Sequence, residues 1–223
     1  MISKLLYDQS LRDRIRANLE RHDVMQLGLD GRKHAAVAFT LVNASEPADI
    51  ANIPYHSGLR DEAAYILTTR AAKLSSHAGQ RAYPGGRVDE GETAQQAALR
   101  ELDEEVGLSL DSGSVLGRLD DYPTRSGFVI TPYVLWGGAD VELEANPGEV
   151  ERIHRVPLLE LMREEVPILD TIEESEHPVL RMPLGDDWFA APSAAIAYQF
   201  REVALLGRST RVSHYEQPYF AWK

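Results

Sequence analysis

The stretch PGGRVDEGETAQQAALRELDEEVGL, residues 84–108, leaves the chain little choice about what it forms there. Thr93 with Gln96 three residues on makes a capping box, and Gly107 a C-terminal stop, so the spacing predicts a helix of about four turns. At about 100° per residue, Ala94, Ala98, Leu102 and Val106 form one apolar stripe that must be covered by another element. Glu101, Glu104 and Glu105 fall within an adjoining arc of roughly 100°, while Asp103 points nearly opposite.

That arc has a charge problem. Like charges at i,i+4 destabilise a helix, and Glu101 and Glu105 are such a pair with Glu104 beside them. Their basic neighbour in the helix is Arg100, and Glu105 borders the apolar stripe, where unpaired charge is expensive. A solvated acidic face is the ordinary meaning of a charge run. A bound divalent cation would resolve both difficulties, because hard ions such as Mg²⁺ and Mn²⁺ take carboxylate oxygens. Geometry alone leaves both readings open.

The rest of the chain narrows the class. A net charge of -12 argues against a nucleic-acid backbone as partner, since that requires basic patches, but a small anionic substrate remains open if a metal reverses the local sign. With no cysteine there is no disulfide, thiolate metal site or thiol nucleophile. The N-terminus mixes charges into its apolar residues and has no signal-peptide core, and no apolar run approaches the roughly 20 residues of a membrane span. A soluble, cytoplasmic protein is expected, with no membrane partner.

Apolar spacing predicts a helix within residues 3–22, buried strands at 34–42 and 63–70, and a loop over 43–62. Strands follow at 114–121 and 127–137 around a Pro-Thr-Arg-Ser-Gly turn, then a strand at 150–156 and a short helix from Pro157. Residues 192–206 read as a final helix. A mixed sheet covered by helices is expected. The whole of 1–223 reads as one α/β domain: a helical extension over 1–30, a core over 34–165, and C-terminal strands and a helix over 166–223.

Read from Gly86, the acidic stretch has the form G-x5-E-x7-R-E-Leu-x-E-E-x-G-Leu. It resembles the Nudix box, the signature of hydrolases acting on nucleoside diphosphates linked to another group. Gly86, Glu92, Arg100, Glu101, Glu104, Glu105 and Gly107 fill every literal position, a chance match on the order of 10⁻⁹ per start. The resemblance implies an α/β/α sandwich around a mixed sheet, with Glu101, Glu104 and Glu105 as ligands of Mg²⁺ or Mn²⁺. It also implies that Glu92 and Arg100 pair to brace the helix and orient Glu101. Glu92 can equally be read as a first-turn acid favoured by the helix dipole. Gly85 and Gly86 permit close backbone approach. A carboxylate must accept a proton from the attacking water, either a box glutamate or a later acid among Glu142, Glu144, Glu149 and Glu151. Glu149, just before a predicted strand, is the foremost of these.

Upstream, ILTTRAAKLSSHAGQRAYPGG (66–86) resembles the signature of the coenzyme A diphosphatase branch of that family. Leu67, Thr68, Arg70, Ala71, Gly79, Pro84, Gly85 and Gly86 match, with Arg70 an expected phosphate contact, but the second arginine of that pattern is Ser75 here. Serine does not replace a guanidinium fork, although Lys73 or Arg81 could share the task. Segments 123–134 and 146–158 also resemble that branch. The substrate so implied is a small nucleotide, coenzyme A or an acyl-CoA. Alternatives are ADP-ribose or NADH, or a non-catalytic nucleotide-binding regulator on the same fold. Analogy with relatives allows a homodimer.

Overall fold

The computed structural model describes residues 5–53, 61–73 and 78–218. In chain order the elements are α1 (Gln9–Arg21), β1 (Lys33–Asn43), β2 (Ala63–Arg70), β3 (Arg81–Ala82), β4 (Gly85–Arg87), α2 (Ala94–Val106), β5 (Val115–Arg118), β6 (Tyr122–Pro123), β7 (Phe128–Gly138), β8 (Val150–Pro157), β9 (Ile168–Asp170), β10 (Val179–Leu184), β11 (Asp187–Ala190) and α3 (Ser193–Gln199).

The main sheet is mixed. Strand β1 runs parallel to β7, while β2 is antiparallel to both β1 and β8, and β5 is antiparallel to β7. Strand β1 is buried on both faces, and its period of two divides the core. Ala36, Ala38 and Val42 join Ala98, Leu102 and Val106 of α2. Phe39 and Leu41 join Leu11, Ile15 and Leu19 of α1, Tyr65 of β2 and Phe200 beyond α3. Helices therefore cover both faces in an α/β/α sandwich, with α1 added at the N-terminus. Leu102 is fully buried beneath α2, and truncating such a leucine to alanine costs roughly 2–5 kcal/mol.

Several expected boundaries move for local reasons. Helix α1 begins at Gln9 because Asp8 caps it, its carboxylate accepting from Leu11 N–H. Leu6 instead bridges to Glu62, outside the helix. The strand expected over 114–121 stops at Arg118, because Asp120 and Asp121 turn to other partners. Asp120 accepts hydrogen bonds from Met25 N–H, Gln199 Nε2 and Arg211 Nη1, at 2.7–3.0 Å. The expected helix over 192–206 is α-helical only to Gln199, and then widens to a π-turn over Phe200–Leu205. The short helix after Pro157 is a 3-10 segment over Leu158–Met162.

Residues beyond 165 build a second, three-stranded sheet in the order β11–β10–β9. Its inner side chains Leu180, Met182 and Leu184 enter the same hydrophobic cluster as α1 and Phe39. No helix among the described residues is long and apolar enough to cross a membrane.

Candidate active site

Helix α2 forms as its sequence dictates. The Thr93 backbone N–H donates to Gln96 Oε1 at 2.9 Å and Gln96 N–H to Thr93 Oγ1 at 3.2 Å, the two halves of the capping box. Gly107 closes the other end in the left-handed conformation at φ 69°. Glu92 lies before the cap rather than in the first turn, so its partner is Arg100 and not the helix dipole.

Arg100 is the hub of the box. Its Nε and Nη2 donate to the two oxygens of Glu92 at 2.9 and 3.1 Å, a bidentate pair that holds the Glu92 carboxyl below its ordinary range. Its Nη1 donates to Glu101 Oε1 at 2.8 Å and to Glu104 Oε2 at 3.0 Å. The remaining constraint on Glu101 comes from Gly86. A β-carbon at that glycine would lie 2.1 Å from Glu101 Oε1, and one at Gly85 would lie 2.4 Å from the Ala36 carbonyl oxygen. Strand β4 can thus pass between β1 and α2 only with two glycines.

Glu101, Glu105 and Glu149 come together, with one oxygen of each within 4.8 Å of the others. Glu149 arrives from a distant loop whose backbone finishes α2. Glu144 N–H donates to the Val106 carbonyl and Asn146 N–H to the Glu105 carbonyl, satisfying groups that a helix end leaves open. Asn146 then accepts from Gly148 N–H through its side chain and from Val150 N–H through its carbonyl, turning the chain into β8. The Glu149 carbonyl accepts from Ala71 N–H at 2.8 Å, fixing it beside the end of β2. Glu104 is half exposed and stands outside this group, on its bond to Arg100.

Burial dominates the electrostatics. Glu105 is 2% exposed, and desolvation pushes its carboxyl up to about 8 despite the charge of Arg70 and the Gly85 amide, with Glu101 and Glu149 adding like charge. Glu101 is raised as well, chiefly by desolvation, against the pull of Arg100. Two of the three clustered carboxylates, Glu101 and Glu105, are therefore held in a place that disfavours their charge.

A cavity of about 710 Å³ adjoins this cluster, within the range of small-molecule sites. It is bordered by Gly85, Gly86 and Arg70 on one side, and by Arg81, Arg87 and Phe128 nearby. The Arg70 Nε is buried with no hydrogen-bond partner among the described residues. Arg81 is tied to Asp187 at 2.6 Å. Thr124, Ser126 and Phe128, from the segment read around the Pro-Thr-Arg-Ser-Gly turn, line the same space. Tyr83 is a packing residue, buried against Phe39 with ring centroids 5.0 Å apart. Ser75 lies outside the described residues.

Sequence reasoning missed one wall. Asp187, Trp188, Phe189 and Ala190 of β11 and Pro192 beside α3 close the cavity. The available signal was RMPLGDDWFA, two short apolar runs across a Gly-Asp turn, masked by Pro183 within the first.

Comparison with known proteins places these residues in context. The family model described as NUDIX domain matches residues 58–175. A protein of Photorhabdus laumondii named "Uncharacterized Nudix hydrolase NudL" is 35% identical over 134 residues, 60% of this chain and 63% of that one. "Nudix hydrolase 3" of Caenorhabditis elegans is 37% identical over 102 residues, 44% of this chain and 42% of its own length. The chain thus spans less than two thirds of these curated relatives. Among solved structures, a MutT/nudix family protein from Enterococcus faecalis aligns with a TM-score of 0.46 at 16% identity, covering 71% of this chain and 51% of that one.

Proposed function

This chain belongs to the Nudix family, and on that premise we propose that it hydrolyses a nucleotide whose diphosphate joins a nucleoside to a second group, with coenzyme A or an acyl-CoA as substrate. The observation that carries this reading is the meeting of Glu101, Glu105 and Glu149 within 4.8 Å, beside a cavity bordered by Gly86 and Arg70.

The donor set fits a hard divalent cation. Oxygen donors alone converge, two of them from a buried, charge-poor position where a cation would offset the repulsion. Glu101, Glu105 and Glu149 would hold Mg²⁺ or Mn²⁺, with Glu104 at the rim able to join them. Such an ion, when bound, neutralises phosphoryl oxygens and acidifies nearby water.

The protein's own groups supply the rest. Arg70 meets a phosphoryl oxygen with a guanidinium whose Nε is buried without a hydrogen-bond acceptor among the described residues. Arg100, anchored on Glu92, keeps Glu101 from swinging away from the cluster. Attack of water on phosphorus breaks the anhydride bond, and one carboxylate of the group accepts the released proton. From coenzyme A the products are 3′,5′-ADP and 4′-phosphopantetheine.

The choice of coenzyme A rests on the resemblance over 66–86 and 123–134. It gains support from Arg81, Thr124, Ser126 and Phe128 lining one cavity. ADP-ribose or NADH is the second reading, favoured by serine at position 75. The protein would work in the cytoplasm, as a monomer or a homodimer.

Product-resolved hydrolysis with Mg²⁺ and Mn²⁺ tests the proposal on CoA, an acyl-CoA, ADP-ribose and NADH. Preferential cleavage of CoA is expected. Cleavage of ADP-ribose or NADH without CoA would overturn the substrate and leave the chemistry standing.

A further inference from the structure

We propose that Trp188 is the surface on which the substrate's nucleobase stacks, an inference that rests on the cavity being a nucleotide site. The three-stranded sheet places Trp188 in the cavity wall and leaves it 37% exposed, although indoles are usually well buried. One face of the ring is already occupied. The Arg181 guanidinium carbon sits 4.1 Å from the ring centroid, and Arg181 Nε is itself held by Asp170 at 2.8 Å.

The three partners lie on the three strands of that sheet, so the indole is braced from behind by β9 and β10. Among the described residues no second ring or cation stacks on the indole.

The neighbouring residue supplies the second half of the recognition. Asp187 binds Arg81 of β3 at 2.6 Å, which fixes the wall to the main sheet beside the Arg70 end of β2. A planar π-surface thus stands at a set position relative to cationic groups that suit phosphate. A nucleotide presents the same two features, a planar base and an anionic diphosphate, joined by a ribose. A base on Trp188 would complete a stack of guanidinium, indole and base.

The test titrates ADP and inorganic pyrophosphate, each with Mg²⁺, onto the full chain as wild type, Trp188→Phe and Trp188→Ala. Trp188→Ala should lose about tenfold in ADP affinity, the scale of one base–aromatic stack, and keep its affinity for pyrophosphate. Trp188→Phe should retain most of the ADP affinity. In turnover, Trp188→Ala should raise KM with kcat nearly unchanged.

Equal ADP affinity in wild type and Trp188→Ala would overturn the proposal. So would equal losses for ADP and pyrophosphate, which would mark a merely structural tryptophan. Should wild type hydrolyse no diphosphate at all, the functional reading fails, while the ADP-against-pyrophosphate comparison still decides the role of Trp188.

Discussion

Gly86 and Glu101 are in such close contact that a single added methyl group at the glycine would overlap the carboxylate, 2.1 Å from Oε1 and 2.5 Å from the carboxyl carbon. Gly86→Ala should therefore push Glu101 off the cluster and off Arg100 without touching the buried stripe of α2. The expected result is a loss of turnover of about a hundredfold, the usual scale for displacing a catalytic group by an ångström. Thermal unfolding should change little. Near-normal turnover would show that Glu101 needs no such positioning.

Glu104 and Glu149 make opposite claims on the cation. The box pattern favours Glu104, while the structure places Glu149 with Glu101 and Glu105 and leaves Glu104 on Arg100. Glu149→Gln should weaken Mn²⁺ binding by at least about tenfold and shrink the metal-induced rise in Tm. Glu104→Gln should affect binding less, while still lowering turnover. A larger loss of Mn²⁺ affinity in Glu104→Gln than in Glu149→Gln would show that Arg100 releases Glu104 to the ion.

Glu105 should make stability, and with it the proposed cation binding, depend on pH. Its carboxyl is raised from 4.5 to about 8 by burial, so the folded protein holds a proton that the unfolded chain gives up near 4.5. Without metal, this group's contribution to stability is fully present below about 4.5 and is lost as pH rises to about 8. Denaturant titrations from pH 5 to 8 should show wild type falling relative to Glu105→Gln. Cation binding must expel the same proton, so Mn²⁺ affinity should rise up to about tenfold per pH unit and level off near 8. Parallel stability curves for the two proteins would remove Glu105 as the source.

Asp120 offers a control remote from the chemistry. It is 1% exposed and takes bonds from Met25 N–H, His22, Gln199 and Arg211. Burial alone would raise its carboxyl, but these donors outweigh burial and lower it. Asp120→Ala removes the acceptor of the Met25 N–H and the nearer carboxylate of Arg211, and should cost about 3 kcal/mol, a fall of roughly 10 °C in Tm. Turnover well below that Tm should persist. A change in Tm of only a degree or two would mean that the network is dispensable.

The box was legible because its signals are local. Capping by Thr93, the stop at Gly107 and the pairing of Arg100 with Glu92 span no more than a few turns of chain. Glu149 could be singled out as an acid before a strand, but its place beside Glu105 depends on Asn146 and Ala71 bonding across loops, which no periodicity encodes. Strands were expected within 166–223, but the sheet carrying Trp188 could not be placed residue by residue, because its strands are three to six residues long and β10 contains Pro183. Glu104 is the converse case. Helical geometry puts it on the same arc as Glu101 and Glu105, yet the i,i+4 reach of Arg100 claims it first.

The second sheet meets the main one through a shared core and the Arg81–Asp187 ion pair, and contributes none of the clustered carboxylates. Selection can therefore act on the two parts at separate rates. A hairpin exchanged across residues 179–190 could re-tailor what the cavity admits while the carboxylate cluster is inherited intact, making this edge of the fold the natural place to graft a new preference.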